Sequence, residues 1–267
     1  MKLDELVYLA HDFRLQLLKM FHESGIGNTG ISLAYIDLLT VMYFGTDNSR
    51  LLLNYDALKP QWEERDRIIL SCPEAIAAQY VCLAKAGFFA ESQLNNFGKF
   101  GALLQAEPTL EVPGIDAVFK TSGEGLKAGV DLALGIGDSK KSRRVFVILG
   151  DEDLLQGATW EAAMEASFER LSSLVAISVH TGLRKVEPIV DKFEAFGWSV
   201  LSLVDGHNYE EIKQALLRAK VVSRRPVFIF APAVLGKGVF FAEHKEHYAK
   251  AVFSDHEYEE AIRNFES

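Results

Sequence analysis

The chain has 267 residues, of which 49% are hydrophobic, and a formal net charge of -9 at pH 7. This length suits one large α/β domain, and the apolar fraction excludes an intrinsically disordered chain. The excess of acid argues against general binding to nucleic acids or anionic membranes. No stretch reaches the roughly 20 apolar residues that cross a bilayer, and the only two cysteines form no CxxC pair. We therefore expect a cytoplasmic protein without nucleic-acid or membrane partners.

The first half of the chain reads mostly as helices. Apolar residues spaced three and four apart predict an amphipathic helix over residues 3–21. After a glycine-rich break, "ISLAYIDLLTVMYF" predicts a helix that is apolar on most sides and therefore buried. A β-branched run at residues 66–71 predicts a strand, and helices are predicted around residues 74–86 and 122–137.

The second half alternates regularly between strands and helices. Strands are predicted at residues 144–149, 174–179, 198–203 and 226–231, and helices at residues 156–171, 186–196 and 208–222. Because these strands are continuous apolar runs, they indicate a mostly parallel sheet with helices on both faces. With no repeat or linker in the sequence, residues 1–267 are predicted to form a single α/β domain.

Ligands of such sheets bind beyond the carboxyl ends of the strands. Two segments lie at such ends, Gly150–Asp153 and His180–Arg184. Asp151 precedes a predicted helix, so its simplest interpretation is a helix cap. The alternative is a ligand of a divalent cation that holds a phosphate. The turn alone favours the cap and leaves both interpretations open.

The segment "ILGDEDLLQGATWEAAMEASFERLSSLVAISVHTGLR" resembles the thiamine diphosphate motif of the transketolase family. Further blocks are similar to the family in the same order along nearly the whole chain, among them "FEAFGW", "DGHNYEEI" and "GKGV". The resemblance implies the thiamine-diphosphate-binding fold. The length matches the split form, which implies a separate C-terminal partner subunit, together with a two-fold assembly such as a homodimer. It also places Trp160 and Glu161 on an interface helix.

The family holds Mg²⁺ against the cofactor's diphosphate with an Asp, an Asn and one backbone carbonyl. The resemblance assigns these three roles to Asp151, Thr181 and the carbonyl of Leu183. Oxygen ligands suit this cation, but a Thr hydroxyl is a weaker ligand than an Asn amide oxygen. Thr181 therefore departs from the family's ligand set.

The same resemblance implies which residues contact the diphosphate. Gly150 begins the turn, and Glu152 stands where the family has a second glycine. The family's Gly-Ser-Leu-Gly loop reads "KTSG", which places Lys120 and Ser122 against the cofactor. A carboxylate at Glu152 would repel the diphosphate. We expect Lys120 to pair with Glu152 and fill the space of the diphosphate.

The substrate side of the predicted cleft departs further from the family. The family places histidines there, and the matching positions are Asn28, Glu74, Glu107 and, by a looser alignment, Ala249. His180 is the one histidine that the strand ends bring toward the cleft. Because a positioned proton-transfer group typically contributes about 10²–10⁴ in rate, loss of several would leave little sugar-phosphate chemistry.

Three functional hypotheses follow from these departures. The first is a degenerate or strongly altered transketolase-like N-terminal subunit with weak or no thiamine diphosphate binding. The second is an active thiamine-diphosphate-dependent ketol or acyl transferase that works with a separate C-terminal subunit. The third is a non-catalytic binding or regulatory protein that uses the acidic cleft for a cationic ligand or a metal.

Overall fold

The structure is a computed structural model that describes residues 1–119, 121–136 and 143–266. Its helices are α1 (Leu3–Ser24), α2 (Thr29–Phe44), α3 (Ile76–Ala86), α4 (Glu124–Ile136), α5 (Gly157–Phe168), α6 (Ile189–Ala195), α7 (Tyr209–Val221) and α8 (Asp255–Glu266). Its strands are β1 (Thr46–Asp47), β2 (Arg50–Leu51), β3 (Arg67–Leu70), β4 (Val145–Leu149), β5 (Leu174–His180), β6 (Ser199–Ser202) and β7 (Val227–Pro232).

The larger sheet has five parallel strands in the order β3-β4-β5-β7-β6. The short strands β1 and β2 form a separate antiparallel hairpin. Because β3, β4 and β5 are neighbours, the segments that follow them emerge side by side at one edge of the sheet. This order positions the candidate site.

The two faces of the sheet pack against different sets of helices, and β4 shows how one apolar run serves both. Phe146 and Ile148 join a core cluster that includes residues of α1, α2, α3 and α7. Val145, Val147 and Leu149 join a second cluster with residues of α4, α5 and α6. Since successive side chains of a strand point to opposite faces, a strand buried on both faces must be apolar throughout.

The predicted fold class is confirmed, and every predicted strand and helix is found with ends shifted by a few residues. Three elements were not predicted, namely the hairpin of β1 and β2 and the helix α8. Strands of two residues are too short to show a period. None of the described helices is long and apolar enough to cross a membrane.

Candidate functional site

A cavity of about 300 Å³ lies beyond the carboxyl ends of β3, β4 and β5. Its walls come from the turn after β4, the segment after β5, the start of α2 and the chain at residues 246–251. Among the described residues that line it, five are acidic and two carry a Lys or Arg cation. The acids are Glu74, Asp151, Glu152, Asp153 and Glu246, and the cations are Arg184 and Lys250. The cavity is therefore acidic, and its charges are arranged largely as pairs.

Asp151 is the centre of the hydrogen bonds at this edge of the sheet, and it is only 6% exposed. Its Oδ1 lies 2.7 Å from His180 Nδ1 and accepts a weaker hydrogen bond of 3.3 Å from the backbone N–H of Thr181. Its Oδ2 accepts hydrogen bonds from the Thr181 hydroxyl at 2.9 Å and from the N–H of Leu183 at 2.8 Å. Each carboxylate oxygen is thus already engaged twice.

His180 is held between two carboxylates. Its Nε2 lies 3.4 Å from Glu187 Oε1, on the side opposite Asp151. The hydrogen bond to Asp151 raises the pKa of His180, although partial burial acts in the other direction. The geometry therefore favours an imidazolium cation beside Asp151.

The loop after β5 contributes a second cation to the site. Arg184 Nη2 lies 2.7 Å from Glu152 Oε1, and Nη1 lies 3.4 Å from Glu246 Oε1. The same Nη1 donates a 3.0 Å hydrogen bond to the carbonyl of Leu183. Arg184 thus neutralises part of the charge that Glu152 brings to the turn.

The Asp153 carboxylate hydrogen-bonds neighbouring segments of the chain at the base of the cavity. It is 1% exposed, and it accepts hydrogen bonds from the N–H groups of Gly150 and Gly123 at 2.8 and 2.6 Å and from Ser71 Oγ at 2.5 Å. Burial raises its pKa, and these three donors act in the opposite direction. Asp153 therefore ties the ends of β3 and β4 to the turn that begins α4.

The far wall is a strap formed by residues 246–251. Its carbonyl groups at Ala249 and Ala251 accept hydrogen bonds of 3.2 Å each from N–H groups at the start of α2. Lys250 Nζ lies 2.7 Å from Glu74 Oε1 across the cavity. Although burial acts in the other direction, the contact with Lys250 lowers the pKa of Glu74. An ion pair thus closes this side of the cavity.

The structure brings most of the predicted site residues to this cavity. The lining includes Glu74, Ser122, Gly150, Asp151, Glu152, Thr181, Leu183 and Ala249, and His180 contacts it through Asp151. Besides His180, two further predicted positions in the described part of the chain do not line it. Glu107 is exposed, and the Asn28 side chain donates a 3.3 Å hydrogen bond to the carbonyl of Glu74 instead.

Lys120 lies outside the described residues, and with it one half of the predicted Lys120–Glu152 pair. The partner that the structure gives Glu152 is Arg184, at 2.7 Å. Sequence reasoning had assigned no role to Arg184, Lys250 or Asp153. A signal existed for Arg184, because it lies three residues after Thr181 in the same loop. For Lys250 there was none, since its partner Glu74 lies 176 positions away.

The geometry gives a direct test of whether these residues fit Mg²⁺. The cation needs several oxygen lone pairs directed at one point, at about 2.1 Å. Here both oxygens of Asp151 accept hydrogen bonds from the chain, and the carbonyl of Leu183 faces a guanidinium. As arranged, the site does not fit Mg²⁺.

Comparison with known proteins places the chain in a family. Residues 9–265 match the family described as "Transketolase, thiamine diphosphate binding domain". The chain is 32% identical over 251 residues to the 6-deoxy-6-sulfo-D-fructose transketolase subunit SqwG of Clostridium sp. (strain MSTE9), which covers 90% of this chain and 89% of that protein. It is 29% identical over 272 residues to one of the subunits of the apulose-4-phosphate transketolase of Phocaeicola vulgatus, covering 98% and 94% respectively.

A solved structure agrees with this placement. The transketolase of Campylobacter jejuni superposes with a TM-score of 0.89 at 25% identity, and the match covers all of this chain and 43% of that one. The chain thus spans less than half of that transketolase but nearly the full length of the two separate subunits. The chain belongs to the transketolase family, as a transketolase-like N-terminal subunit built on the thiamine diphosphate binding domain.

Proposed function

We propose that this chain is a strongly altered N-terminal subunit of a two-chain transketolase-type assembly. In this proposal its cleft no longer binds thiamine diphosphate with Mg²⁺, and the chain carries out no ordinary sugar-phosphate ketol transfer. The observation that carries the proposal is the engagement of Asp151 by His180, Thr181 and Leu183.

The metal side of the cleft supports this proposal. For Mg²⁺ to bind, Asp151 would have to release hydrogen bonds from the chain, among them the 2.7 Å contact with His180 Nδ1. Each donor freed in this way would need a new partner, which adds to the cost of binding the cation.

The diphosphate side supports it as well. The resemblance implies a glycine in the phosphate turn at the position of Glu152. The Glu152 carboxylate forms an ion pair with Arg184. A diphosphate would meet that carboxylate as a like charge, which costs several kcal/mol at a close contact. It would also have to compete with Glu152 and Glu246 for Arg184.

The substrate side lacks the imidazoles of the family's pattern. Glu74 is paired with Lys250, Asn28 hydrogen-bonds the backbone, and Ala249 offers a methyl group. Since each positioned proton-transfer group contributes about 10²–10⁴ in rate, these three positions account for a large loss of sugar-phosphate chemistry.

One observation favours a second candidate, an active transferase subunit with a changed substrate. The two relatives that match over nearly their full length are named as transketolase subunits, one for 6-deoxy-6-sulfo-D-fructose and one for apulose-4-phosphate. In that case, Lys250 and Arg184 would bind an anionic substrate after releasing Glu74 and Glu152.

Isothermal titration of the purified chain with thiamine diphosphate, with and without Mg²⁺, decides between these candidates. We expect no Mg²⁺-dependent binding up to millimolar cofactor. The measurement is repeated with the C-terminal partner subunit present, because the pyrimidine side of the cofactor is implied to come from that chain. Mg²⁺-dependent binding at micromolar concentration in either arm contradicts the proposal and favours the active subunit.

We also propose that residues 1–267 form one domain that assembles as a homodimer through α5. The outer face of this helix exposes Met164 and Phe168 by 52% and 84%, and Leu155 just before it by 49%. Met164 and Phe168 are four residues apart on one helix face, and exposed apolar side chains grouped in this way are typical of a protein interface. The resemblance places Trp160 and Glu161 of the same helix at the family's subunit interface. A second copy meeting this face about a two-fold axis would bury it.

We expect Met164→Glu/Phe168→Glu to halve the molar mass measured by light scattering after size-exclusion chromatography, because four carboxylates would face one another across the two-fold axis. The melting temperature of the separated chain should change little, since both side chains are largely exposed. Phe240→Glu is the control, because Phe240 is 87% exposed and lies in the segment after β7, outside α5. An unchanged mass in the double variant would exclude α5 as the interface.

A further inference from the structure

The five-stranded sheet ends at β6, and the outer edge of this strand has no neighbour among the described strands. The N–H groups of Ser199 and Leu203 donate 2.9 Å hydrogen bonds to carbonyls on the β7 side. Because the backbone groups of successive residues alternate between the two edges of a strand, those of Val200 and Ser202 point outward. The edge therefore offers N–H and carbonyl groups to a further strand.

The sequence of this edge lacks the charges and prolines that commonly keep an edge strand from pairing. Residues 196–204 read "FGWSVLSLV" and contain neither. Val204, just after the strand, is an apolar side chain that is 89% exposed. Such a composition is typical of an edge that another strand covers.

A groove of about 290 Å³ follows this edge between β6 and α7. Its strand side is formed by Val200–Leu203. Its helix side is one stripe of residues spaced three and four apart, namely Glu211, Gln214, Ala215 and Arg218. Among the described residues that line it, the groove thus combines outward backbone groups with a helix stripe that has an acid at one end and a base at the other.

The two charges of this stripe are held differently. Glu211 Oε2 accepts hydrogen bonds from the N–H groups of Val204 at 2.8 Å and Asp205 at 3.3 Å, which positions the carboxylate near the carboxyl end of β6. Arg218 is exposed, and its guanidinium has no hydrogen-bond or ion-pair partner within residues 1–119, 121–136 and 143–266. The stripe therefore presents a positioned anion at one end and a cation without a partner in those ranges at the other.

The edge and the stripe are complementary to a second copy of themselves. If two β6 strands pair antiparallel about a two-fold axis at Leu201, Val200 of one copy lies opposite Ser202 of the other, and these residues exchange their outward hydrogen bonds. The same axis makes the two α7 helices antiparallel, which brings the Glu211 end of one stripe to the Arg218 end of the other. A contact of this kind is isologous and closes as a pair.

From this self-complementarity we propose that β6 and α7 form an interface with a second copy of this chain, in which the two sheets join into one. The proposal goes beyond the α5 contact. Since α5 packs on the opposite face of the sheet from α7, a chain paired through α5 would still present its β6 edge. A strand of another protein would satisfy the backbone groups alone, whereas a second copy also matches the charges of α7.

Light scattering after size-exclusion chromatography tests this contact on Met164→Glu/Phe168→Glu, in which the α5 contact is disrupted. We expect a molar mass of twice the 29.7 kDa of one chain. Adding Arg218→Glu should raise the dissociation constant at least about tenfold, because acids then face each other at both ends of the interface. Adding Arg263→Glu instead is the matched control, since it makes the same charge change at an exposed residue of α8 and should leave the mass unchanged.

A mixing experiment distinguishes a charge match between copies from a general effect of charge. Glu211→Arg in the same background should also weaken the pair, because arginines then face each other. An equimolar mixture of the Arg218→Glu and Glu211→Arg chains should regain the mass of the pair, because each acid again meets a base. If the mixture stays dissociated while both chains keep their melting transitions, the proposal is overturned.

Hydrogen exchange then locates the contact on the chain. In the pair, the amides of Val200 and Ser202 should exchange more slowly than in the Arg218→Glu chain. The proposal fails if the α5 variant is a single chain at every concentration measured, if Arg218→Glu and Arg263→Glu give equal masses, or if residues 199–202 show no such protection. Failure of the α5 proposal is seen differently, as equal masses of the native chain and the α5 variant.

Discussion

Asp37→Asn should lower the free energy of unfolding by about 3–5 kcal/mol, the cost typical of breaking a buried ion pair. Asp37 is 3% exposed on α2, and its Oδ2 accepts a hydrogen bond of 2.5 Å from Arg14 Nη2 and lies 2.7 Å from His207 Nδ1. Its Oδ1 accepts a short hydrogen bond from the Tyr209 hydroxyl. The substitution leaves the Arg14 guanidinium, 7% exposed, without its counter-charge.

The neighbours of Asp37 explain why the loss of this one carboxylate is expected to lower the stability of the fold. His207 Nε2 accepts a 2.7 Å hydrogen bond from the N–H of Val234, so its proton is on Nδ1, which donates to Asp37. Arg14 Nε also donates to the carbonyl of Lys237 at 3.1 Å. One buried network therefore joins α1, α2, the start of α7 and the segment after β7.

Urea denaturation of Asp37→Asn and of the control Asp12→Asn measures the effect, and Asp12 suits this purpose because its side chain is 67% exposed. Although burial acts in the opposite direction, Arg14 and His207 hold the pKa of Asp37 well below its usual value. The stabilisation is therefore fully present above the unfolded-state pKa of about 3.9 and is lost as the pH falls below it. Equal stability of the two variants at pH 7 would show that the network contributes little.

Glu152→Gly/His180→Ala/Thr181→Asn should bind thiamine diphosphate with Mg²⁺ at least about 100-fold more tightly than the native chain. The first change removes a like charge, which costs several kcal/mol near a phosphate, and every 1.4 kcal/mol is a factor of ten in affinity. The second removes the ring that engages Asp151 Oδ1 at 2.7 Å. The third replaces a weak hydroxyl ligand with an amide oxygen.

Titration calorimetry with and without Mg²⁺ measures this gain. The matched control adds Asp151→Asn to the triple variant, which keeps the emptied space but removes the carboxylate ligand, and the gained binding should disappear. If the triple variant folds and binds no cofactor, these three side chains are not what closes the site. If the native chain binds just as tightly, the altered-subunit proposal fails.

Most of the sheet could be predicted because its strands carry a strong local signal. The run at Val145–Leu149 is apolar at every position, and that continuity already requires a strand covered on both faces. The order β3-β4-β5-β7-β6 could not be predicted in the same way. It depends on which helix covers which face, and this is decided by packing between segments far apart in the chain.

In the candidate site too, residues next to strand ends could be located from the sequence, and residues brought in by long-range packing could not. The location of Asp151 and Thr181 was predictable because each follows a strand, and strand ends of a parallel sheet converge. The role expected of Thr181 came only from the resemblance to the family. Lys250 was not, because only the path of the strap brings it to Glu74. The Asp37 network was not either, since it joins residues up to 172 positions apart, a separation that no sequence period reaches.

By itself, the sequence of this protein determined an α/β fold, the segments that follow the strands and the departures from the family's cofactor residues. Only the tertiary structure decided that Asp151 is engaged by His180 and that Arg184 is the partner of Glu152. Helices and strands follow from the hydrophobic period within one segment. The partner of a charged side chain depends instead on distances between segments, which are set when helices pack on the two faces of the sheet.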